Sequence, residues 1–143
     1  MIKIYGDIML DRWVYGSCDR VSPEAPILVM KEDEYNYSIG GAGNLATNVK
    51  SINGDVELYS CVAKDKEGYK LLDLLLKTDI KTNITVDADM TTTKTRFVGQ
   101  GGQQVLRWDR ERIYKQDGVL ERLLKNVQED DIVCISDYAK GTV

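Results

Sequence analysis

The sequence contains no histidine among its 143 residues. Without an imidazole, the chain cannot build a Ser-His-Asp or Cys-His nucleophile system, nor a zinc site that needs a histidine ligand. A Cys-x-x-Cys pair is also absent, so we expect no structural zinc and no metal ligands in this chain. Proton transfer would therefore need a carboxylate, a lysine, a tyrosine or a residue of a partner.

Cysteine is scarce as well, with three residues far apart: Cys18, Cys61 and Cys134. Because the number is odd and two of them lie in apolar strand-like runs, we interpret them as reduced packing residues of a cytoplasmic protein. No apolar run is long enough to span a bilayer, and the N-terminus lacks the pattern of a signal peptide. The net charge of −4 argues against a general nucleic-acid binder, since phosphate neutralisation needs a basic surface. We therefore expect neither a membrane nor a nucleic acid as a partner.

What is present has the composition of an ordinary folded domain, with 43% hydrophobic and 29% charged residues. No repeat, low-complexity tract or linker divides residues 1–143, which suits a single domain. The hydrophobic patterns predict strands over residues 2–6, 56–63 and 132–135. They also predict three helices: one from Leu45 to a stop signal at Asn53-Gly54, one over residues 65–78 with a buried leucine-rich face, and one over residues 119–127. We interpret the continuous apolar run 132–135 as a central parallel strand that is covered on both faces.

A glycine-rich turn, residues 40–43, leads into the first predicted helix. Glycines let the backbone approach a ligand closely, and the free N–H groups at a helix start attract polar or anionic groups. Asn44, in the first turn, can both donate and accept hydrogen bonds. Gly40, Gly41 and Asn44 are therefore candidate binding residues for a polar or hydroxylated small molecule. The alternative is a close helix–strand packing turn that binds nothing, since the pattern is neither a Walker loop nor a dinucleotide fingerprint.

Two aspartates, Asp7 and Asp11, follow the first predicted strand. Open α/β sheets bind their ligands at the carboxyl ends of the strands, where a carboxylate can hold sugar hydroxyls. We favour this role for Asp11, whereas Asp7 fits a turn or cap role equally well.

A β-hairpin is predicted where two extended runs flank a second glycine-rich turn. These runs cover residues 91–98 and 103–110. The alternation of the first run places Lys94 and Arg96 on one face, which suits an anion clamp for a phosphorylated substrate. The alternative is a solvated strand face with cross-strand ion pairs to Asp109 or Glu111.

Residues 12–39 contain two more β-type runs, 13–15 and 27–30, separated by a segment with Pro23 and Pro26. Prolines mark an irregular or edge connection, so we expect a small sheet outside the main one. Its aromatic side chains suit a lid or a dimer contact, or they form the core of the small sheet itself.

Six segments in a fixed order carry a family resemblance. They are Gly-Asp-Ile-Met-Leu-Asp-Arg-Trp from residue 6, Ser-Pro-Glu-Ala-Pro from residue 22, Gly-Gly-Ala-Gly-Asn-Leu-Ala-Thr-Asn from residue 40, Thr-Thr-Lys-Thr-Arg from residue 92, Gln-Gln-Val-Leu-Arg-Trp-Asp from residue 103 and Ser-Asp-Tyr-Ala-Lys-Gly from residue 136. The chain thus resembles the ribokinase-like (PfkB-type) sugar kinases, and among them the D-glycero-β-D-manno-heptose 7-phosphate kinases. The resemblance implies an α/β fold, a three-layer ribokinase-like sandwich in truncated form. It also implies a small β-sheet lid, within residues 12–39 and 91–112, that pairs two subunits.

The resemblance further implies phosphorylation of a hydroxyl on a sugar or sugar phosphate, with ATP and Mg²⁺ as cofactors. The residues that match the sugar-binding positions of the family are Asp11, Gly40, Gly41 and Asn44. The residues that fall where a sugar-phosphate group would be held are Lys94, Arg96 and Arg107. The residues on a loop facing the reaction centre are Asp137, Tyr138 and Lys140.

The Asp-Thr-x-Gly-Ala-Gly-Asp motif, which supplies the anion hole and the general base in this family, does not occur in the sequence. We therefore expect no catalytic residue in this chain, and neither phosphoryl transfer nor firm ATP binding by the chain alone. The chain would be the N-terminal, sugar-binding part of such a kinase, for a heptose phosphate or for another sugar or nucleoside. Alternatively, it is a non-catalytic module that binds sugar, forms a homodimer through the lid or pairs with a separately encoded nucleotide-binding half. In a truncated sheet the strand 132–135 would lie open at an edge.

Overall fold

Two four-stranded sheets carry the fold of residues 1–52 and 54–143, the part of the chain that a computed structural model describes. For residue 117 only the backbone is described. The elements are β1 (Ile2–Gly6), β2 (Ile8–Val21), β3 (Leu28–Gly41), α1 (Ala42–Ser51), β4 (Val56–Ala63), α2 (Lys66–Leu75), β5 (Lys81–Ala88), β6 (Thr93–Val98), a 3₁₀ turn (Gln100–Gly102), β7 (Gln104–Arg110), α3 (Asp117–Asn126) and β8 (Ile132–Ser136). The main sheet is parallel, in the order β5-β4-β1-β8, and the lid sheet has the order β3-β2-β6-β7.

Helices cover both faces of the main sheet. One face packs Ile4 and Leu58 against residues of α1 and α2, among them Ala46 and Leu71. The opposite face packs residues such as Tyr59 against α3. Because both faces are covered, all eight residues of β4 are buried, and all but Glu57 and Ser60 are apolar. The predicted three-layer α/β fold is therefore confirmed.

The helices begin and end close to the predicted positions. α1 starts directly after Gly41, whose φ of 61° is a left-handed conformation that favours glycine. It ends at Ser51, and Asn53 of the predicted stop signal lies outside the described residues. The leucine-rich face that was predicted to be buried is only partly so, because Leu76, which follows the last turn of α2, is exposed. None of the described helices combines the length and the apolar character needed to cross a bilayer.

The lid sheet is larger than predicted. β2 and β3 have 14 residues each and replace the short runs predicted at 13–15 and 27–30. Asp11 consequently lies inside β2, and the position just beyond β1 belongs to Asp7. The predicted hairpin is confirmed as β6 and β7, joined through Gly101 and Gly102, which both have positive φ. β5 was not predicted, although Ile84, Val86 and Ala88 alternate with polar residues along it.

β8 is not the central, doubly covered strand that its apolar run predicts. It pairs with β1 and forms one edge of the main sheet as far as the described residues show. Ile132 is 61% exposed and Ile135 64% exposed. The prediction of an open edge at this strand is therefore the correct one.

The buried carboxylate of Asp7 fastens residues 138–142 to the end of β1. Its Oδ2 accepts hydrogen bonds from the backbone N–H groups of Tyr138 at 2.8 Å and Lys140 at 3.1 Å, and its Oδ1 accepts one from Thr142 at 3.0 Å. The backbone carbonyl of Asp7 accepts a bond from the N–H of Ala42, at the start of α1, at 2.8 Å. The role of Asp7 in the described chain is therefore that of a cap which holds a loop.

Replacing this carboxylate should loosen that loop. We expect Asp7→Ala to lower the free energy of unfolding by about 3 kcal/mol, because one buried and two partly buried N–H groups lose their acceptor. Denaturant unfolding measures the loss, and amide hydrogen exchange should accelerate at residues 138–142. The control is Asp137→Ala, which removes an exposed carboxylate bonded to the N–H of Ala139 and should cost less than about 1 kcal/mol. Equal losses in the two variants would contradict the assigned role.

A buried ion pair crosses the main sheet at its other end. The Nζ of Lys3 lies 2.7 Å from Oε2 of Glu57, and both side chains are buried. Burial would raise the pKa of Glu57, but hydrogen bonds from Lys3 and Lys81 outweigh it and hold the pKa below its ordinary value. The pair is therefore ionised at neutral pH and stabilises the sheet above the pKa of unfolded glutamate.

Removing one partner of this ion pair and replacing both partners should change the free energy of unfolding by different amounts. We expect Glu57→Ala to lower the free energy of unfolding by about 3–5 kcal/mol, because the buried Lys3 ammonium loses its nearer partner and keeps only Asp131, at 3.6 Å. The double variant Lys3→Met/Glu57→Met should cost much less. Since the pKa of Glu57 is lower in the folded state, the contribution of the pair is lost as pH falls through the folded value. Unfolding at about pH 7 and about pH 3.5 should thus show a smaller pH dependence in the double variant. A larger pH dependence in the double variant would contradict the assignment of an ionised, stabilising pair.

Candidate functional site

Asp11 and the glycine-rich turn lie against each other. β2 and β3 are antiparallel, and their register pairs Met9 with Gly40 and Asp11 with Ser38. A Cβ added to Gly40 would lie 2.5 Å from Oδ2 of Asp11, which is closer than real Cβ contacts come. Glycine is therefore needed for the carboxylate to rest on this backbone.

The rest of the glycine-rich turn fits both interpretations, a ligand-binding turn and a close helix–strand packing turn. Gly41 packs against the backbone carbonyl of Asp7, and Gly43 packs against Ile39. These two glycines fit the close-packing interpretation. Asn44, in the first turn of α1, is exposed and stays a candidate binding residue together with Gly40.

Arg96 is held on the same face of the lid sheet as Asp11. Its Nη1 lies 2.6 Å from Oδ1 of Asp11, and its guanidinium lies 4.7 Å from the ring centroid of Trp13. An ion pair and a cation–π contact together fix the orientation of this side chain. One carboxylate oxygen of Asp11 is thus engaged by Arg96, and the other faces Gly40.

The cross-strand ion pairs that were the alternative prediction for Lys94 are present. Its Nζ lies 3.0 Å from Oδ2 of Asp109 and 3.8 Å from Oε2 of Glu111. Arg107, which pairs with Arg96 across β6 and β7, places its Nε 3.0 Å from Oδ1 of Asp109. Burial would raise the pKa of the Asp109 carboxyl, but the hydrogen bond and charge of Lys94 and the charge of Arg107 outweigh it and lower that pKa. These groups therefore form a charged network at neutral pH.

The loop after β8 reaches this network through Lys140. Its Nζ lies 2.9 Å from Oε2 of Glu111, the residue that follows β7. Tyr138 is half exposed, and Asp137 accepts a hydrogen bond from the N–H of Ala139 at 2.7 Å. The structure thus brings Lys140 to the lid cations, but it gives no such contact for Asp137 or Tyr138.

A cavity of about 600 Å³ opens on the other face of the lid sheet, towards α2. Its lining includes Leu10, Tyr37, Tyr69 and Trp108, and none of the candidate site residues. Side chains alternate along a strand, so Leu10 faces this cavity while Asp11 faces away from it. We therefore place the candidate site on the Asp11 face.

The described residues do not fit a resident metal ion. No three acidic or thiol side chains among them lie close enough together to hold one. We accordingly assign no step through Mg²⁺ to residues of this chain.

Comparison with known proteins adds the family. The model of the pfkB family of carbohydrate kinases matches residues 1–142. Relatives include the bifunctional protein HldE of Coxiella burnetii, 42% identical over 99% of this chain, and the D-beta-D-heptose 7-phosphate kinase of Bordetella bronchiseptica, 35% identical over 99%. The chain spans 30% of the first relative and 46% of the second.

Solved structures agree on the fold. Phosphofructokinase-2 of Escherichia coli, in complex with fructose-6-phosphate, matches 95% of this chain and 44% of its own at a TM-score of 0.75 and 17% identity. A microbiome-derived acarbose kinase matches 94% of this chain and 44% of its own at a TM-score of 0.70 and 17% identity. At such identities the likeness establishes the ribokinase-like fold alone. The family match over nearly the whole chain goes further: the protein belongs to the pfkB family of carbohydrate kinases.

Proposed function

We propose that this chain forms the acceptor-binding part of an ATP-dependent kinase that phosphorylates a hydroxyl of a heptose 7-phosphate-like sugar phosphate. The observation that carries the proposal is the position of the Asp11 carboxylate, held by Arg96 on one side and resting on Gly40 on the other. The names of the HldE and heptose kinase relatives support the substrate class.

The geometry supports a separate role for each of these residues. Oδ1 of Asp11 is engaged by Arg96, so Oδ2 is the oxygen that accepts hydrogen bonds from sugar hydroxyls. Gly40 allows the sugar to approach the backbone beside this oxygen, and the exposed Asn44 supplies an amide that donates or accepts. Gly41 sets the turn that brings these groups together.

The phosphate of the acceptor would bind to the cations of the lid face. Lys94, Arg96 and Arg107 all project from β6 and β7 on the Asp11 side, and Lys140 joins them from the loop after β8. Phosphate oxygens suit such a set, because each can accept charge-assisted hydrogen bonds. We assign no catalytic residue to this chain. ATP would supply the transferred phosphoryl group, and Mg²⁺ would stabilise its charge. Three free thiols fit a cytoplasmic location.

Calorimetric titration tests the substrate class. We expect the chain to bind a sugar 7-phosphate at least about tenfold more tightly than the same sugar without phosphate, because the lid cations meet a doubly charged group. Lys94→Ala should remove most of this preference and leave binding of the unphosphorylated sugar unchanged. Asp11→Asn should weaken both ligands, since it weakens the hydroxyl acceptor. The substrate assignment is wrong if wild type shows no preference for the phosphorylated ligand.

A second candidate function is assembly, favoured by exposed apolar side chains in two places. The lid sheet exposes Leu28, Leu106 and Trp108, and β8 exposes Ile132 and Ile135 along an open edge. Such surfaces are typical of contacts between chains. The lid would pair two copies, and the β8 edge would receive a nucleotide-binding half.

Size measurement separates these surfaces. We expect the chain to form a dimer that Leu106→Lys converts to a monomer, because a charge replaces an apolar contact in the lid. Ile135→Lys should leave that dimer intact and reduce binding to a nucleotide-binding half supplied as a separate chain. Light scattering measures the mass, and an ATPase assay of the mixture reports assembly of a working enzyme. A wild-type monomer at all concentrations would contradict pairing through the lid.

A further inference from the structure

One carboxylate oxygen lies between two ammonium groups on the Asp11 face. Oε2 of Glu111 is 2.9 Å from the Nζ of Lys140 and 3.8 Å from the Nζ of Lys94. The two lysines come from separate parts of the chain, one from β6 of the lid sheet and one from the loop after β8. One carboxylate oxygen of Glu111 therefore forms ion pairs with ammonium groups from both parts of the chain.

Contacts other than those of Glu111 fix the backbone of Lys140 and the ammonium group of Lys94. The backbone N–H of Lys140 donates to Asp7, and its carbonyl accepts a bond from the N–H of Tyr114 at 3.4 Å. Lys94 lies in a strand and has a second partner, Asp109, at 3.0 Å. Each lysine side chain is 17% exposed. Both lysines would therefore keep their backbone positions on this face if the glutamate moved away.

Glu111 is the carboxylate of this face that can leave most readily. Its side chain is 35% exposed, against 23% for Asp109 and 17% for Asp11. It follows β7 in a stretch without regular structure, whereas the other two lie within strands. Asp109 also serves two cations at 3.0 Å, and Asp11 serves Arg96 at 2.6 Å.

We propose that Glu111 is an exchangeable counter-ion, and that the phosphate of the acceptor sugar takes its place between Lys94 and Lys140. This deepens the proposed function and rests on it, since it assigns Lys140 a direct phosphate contact. A phosphate dianion brings two negative charges to two ammonium groups, whereas the Glu111 carboxylate brings one. The site then selects for phosphorylated acceptors, because a neutral sugar cannot replace the negative charge of the carboxylate.

The proposal and a purely structural role for Glu111 predict opposite signs. If Glu111 competes with phosphate, removing its charge strengthens phosphate binding. If it only holds Lys94 and Lys140 in place, removing its charge weakens phosphate binding. Glu111→Gln keeps the shape of the side chain and removes the charge, so it distinguishes the two.

The matched control is Glu67→Gln. Glu67 is 24% exposed and its Oε1 pairs with Arg110 at 3.1 Å, among residues that line the cavity on the other face of the lid sheet. This variant changes the net charge by the same amount, away from the Asp11 face. Thermal unfolding of both variants confirms that each is folded before binding is measured.

The experiment is calorimetric titration of wild type and both variants with a sugar 7-phosphate, the unphosphorylated sugar and inorganic phosphate, at low and high salt. We expect Glu111→Gln to bind both phosphate ligands about fivefold more tightly at low salt, an effect that shrinks at high salt. Affinity for the unphosphorylated sugar should not change, and Glu67→Gln should match wild type. Adding Lys140→Gln to Glu111→Gln should abolish the gain.

Unchanged or weaker phosphate binding in Glu111→Gln would overturn the proposal, as would a gain that survives in the Glu111→Gln/Lys140→Gln variant. Inorganic phosphate keeps this test separate from the proposed function. If wild type binds no sugar phosphate, the proposed function fails, and Glu111→Gln against inorganic phosphate still decides whether Lys94 and Lys140 form an anion site. If that variant binds no inorganic phosphate either, both fail.

Discussion

A single buried carboxylate holds together the three parts of the chain that meet at the carboxyl end of the main sheet. Asp7 directly follows β1, its carbonyl accepts a hydrogen bond from the N–H at the start of α1, and its carboxylate accepts three from N–H groups of residues 138–142. The glycine-rich turn and the loop with Lys140 therefore share one support. The ion pair between Lys140 and Glu111 depends on it, because Lys140 reaches the lid sheet only while that loop stays in place.

The lid sheet divides its chemistry between two faces by simple alternation. Asp11, Lys94, Arg96 and Asp109 project on one side, and the aromatic lining of the cavity projects on the other. On the charged face, each cation has a carboxylate within 4 Å. Four cations share three carboxylates there, because Asp109 serves both Lys94 and Arg107, so an incoming anion meets one unmatched positive charge and must compete for the other cations.

Much of the fold was predictable because it depends on local patterns. The bounds of β4 follow from a run of mostly apolar residues, and the start of α1 follows from Gly41. β5 was missed because edge strands do not need an apolar face, and β8 was misplaced because an apolar run does not reveal how many neighbours it has. In the site, the placement of Asp11 and Gly40 together was predicted from the family resemblance. The contact between Glu111 and Lys140 was not, because only the tertiary fold brings these two charges together.

The position of β1 in the main sheet also bears on how the chain folds. β1 lies between β4 and β8, so the first strand to be synthesised needs a neighbour from the far end of the described chain. The hydrogen bond from Thr142 to Asp7 joins residues 135 apart in the sequence. Contacts of such long range slow folding, because the entropy of closing a large loop is lost before the contacts form. On the ribosome, β4 and β5 can pair early, whereas β1 gains its second neighbour only after β8 has emerged.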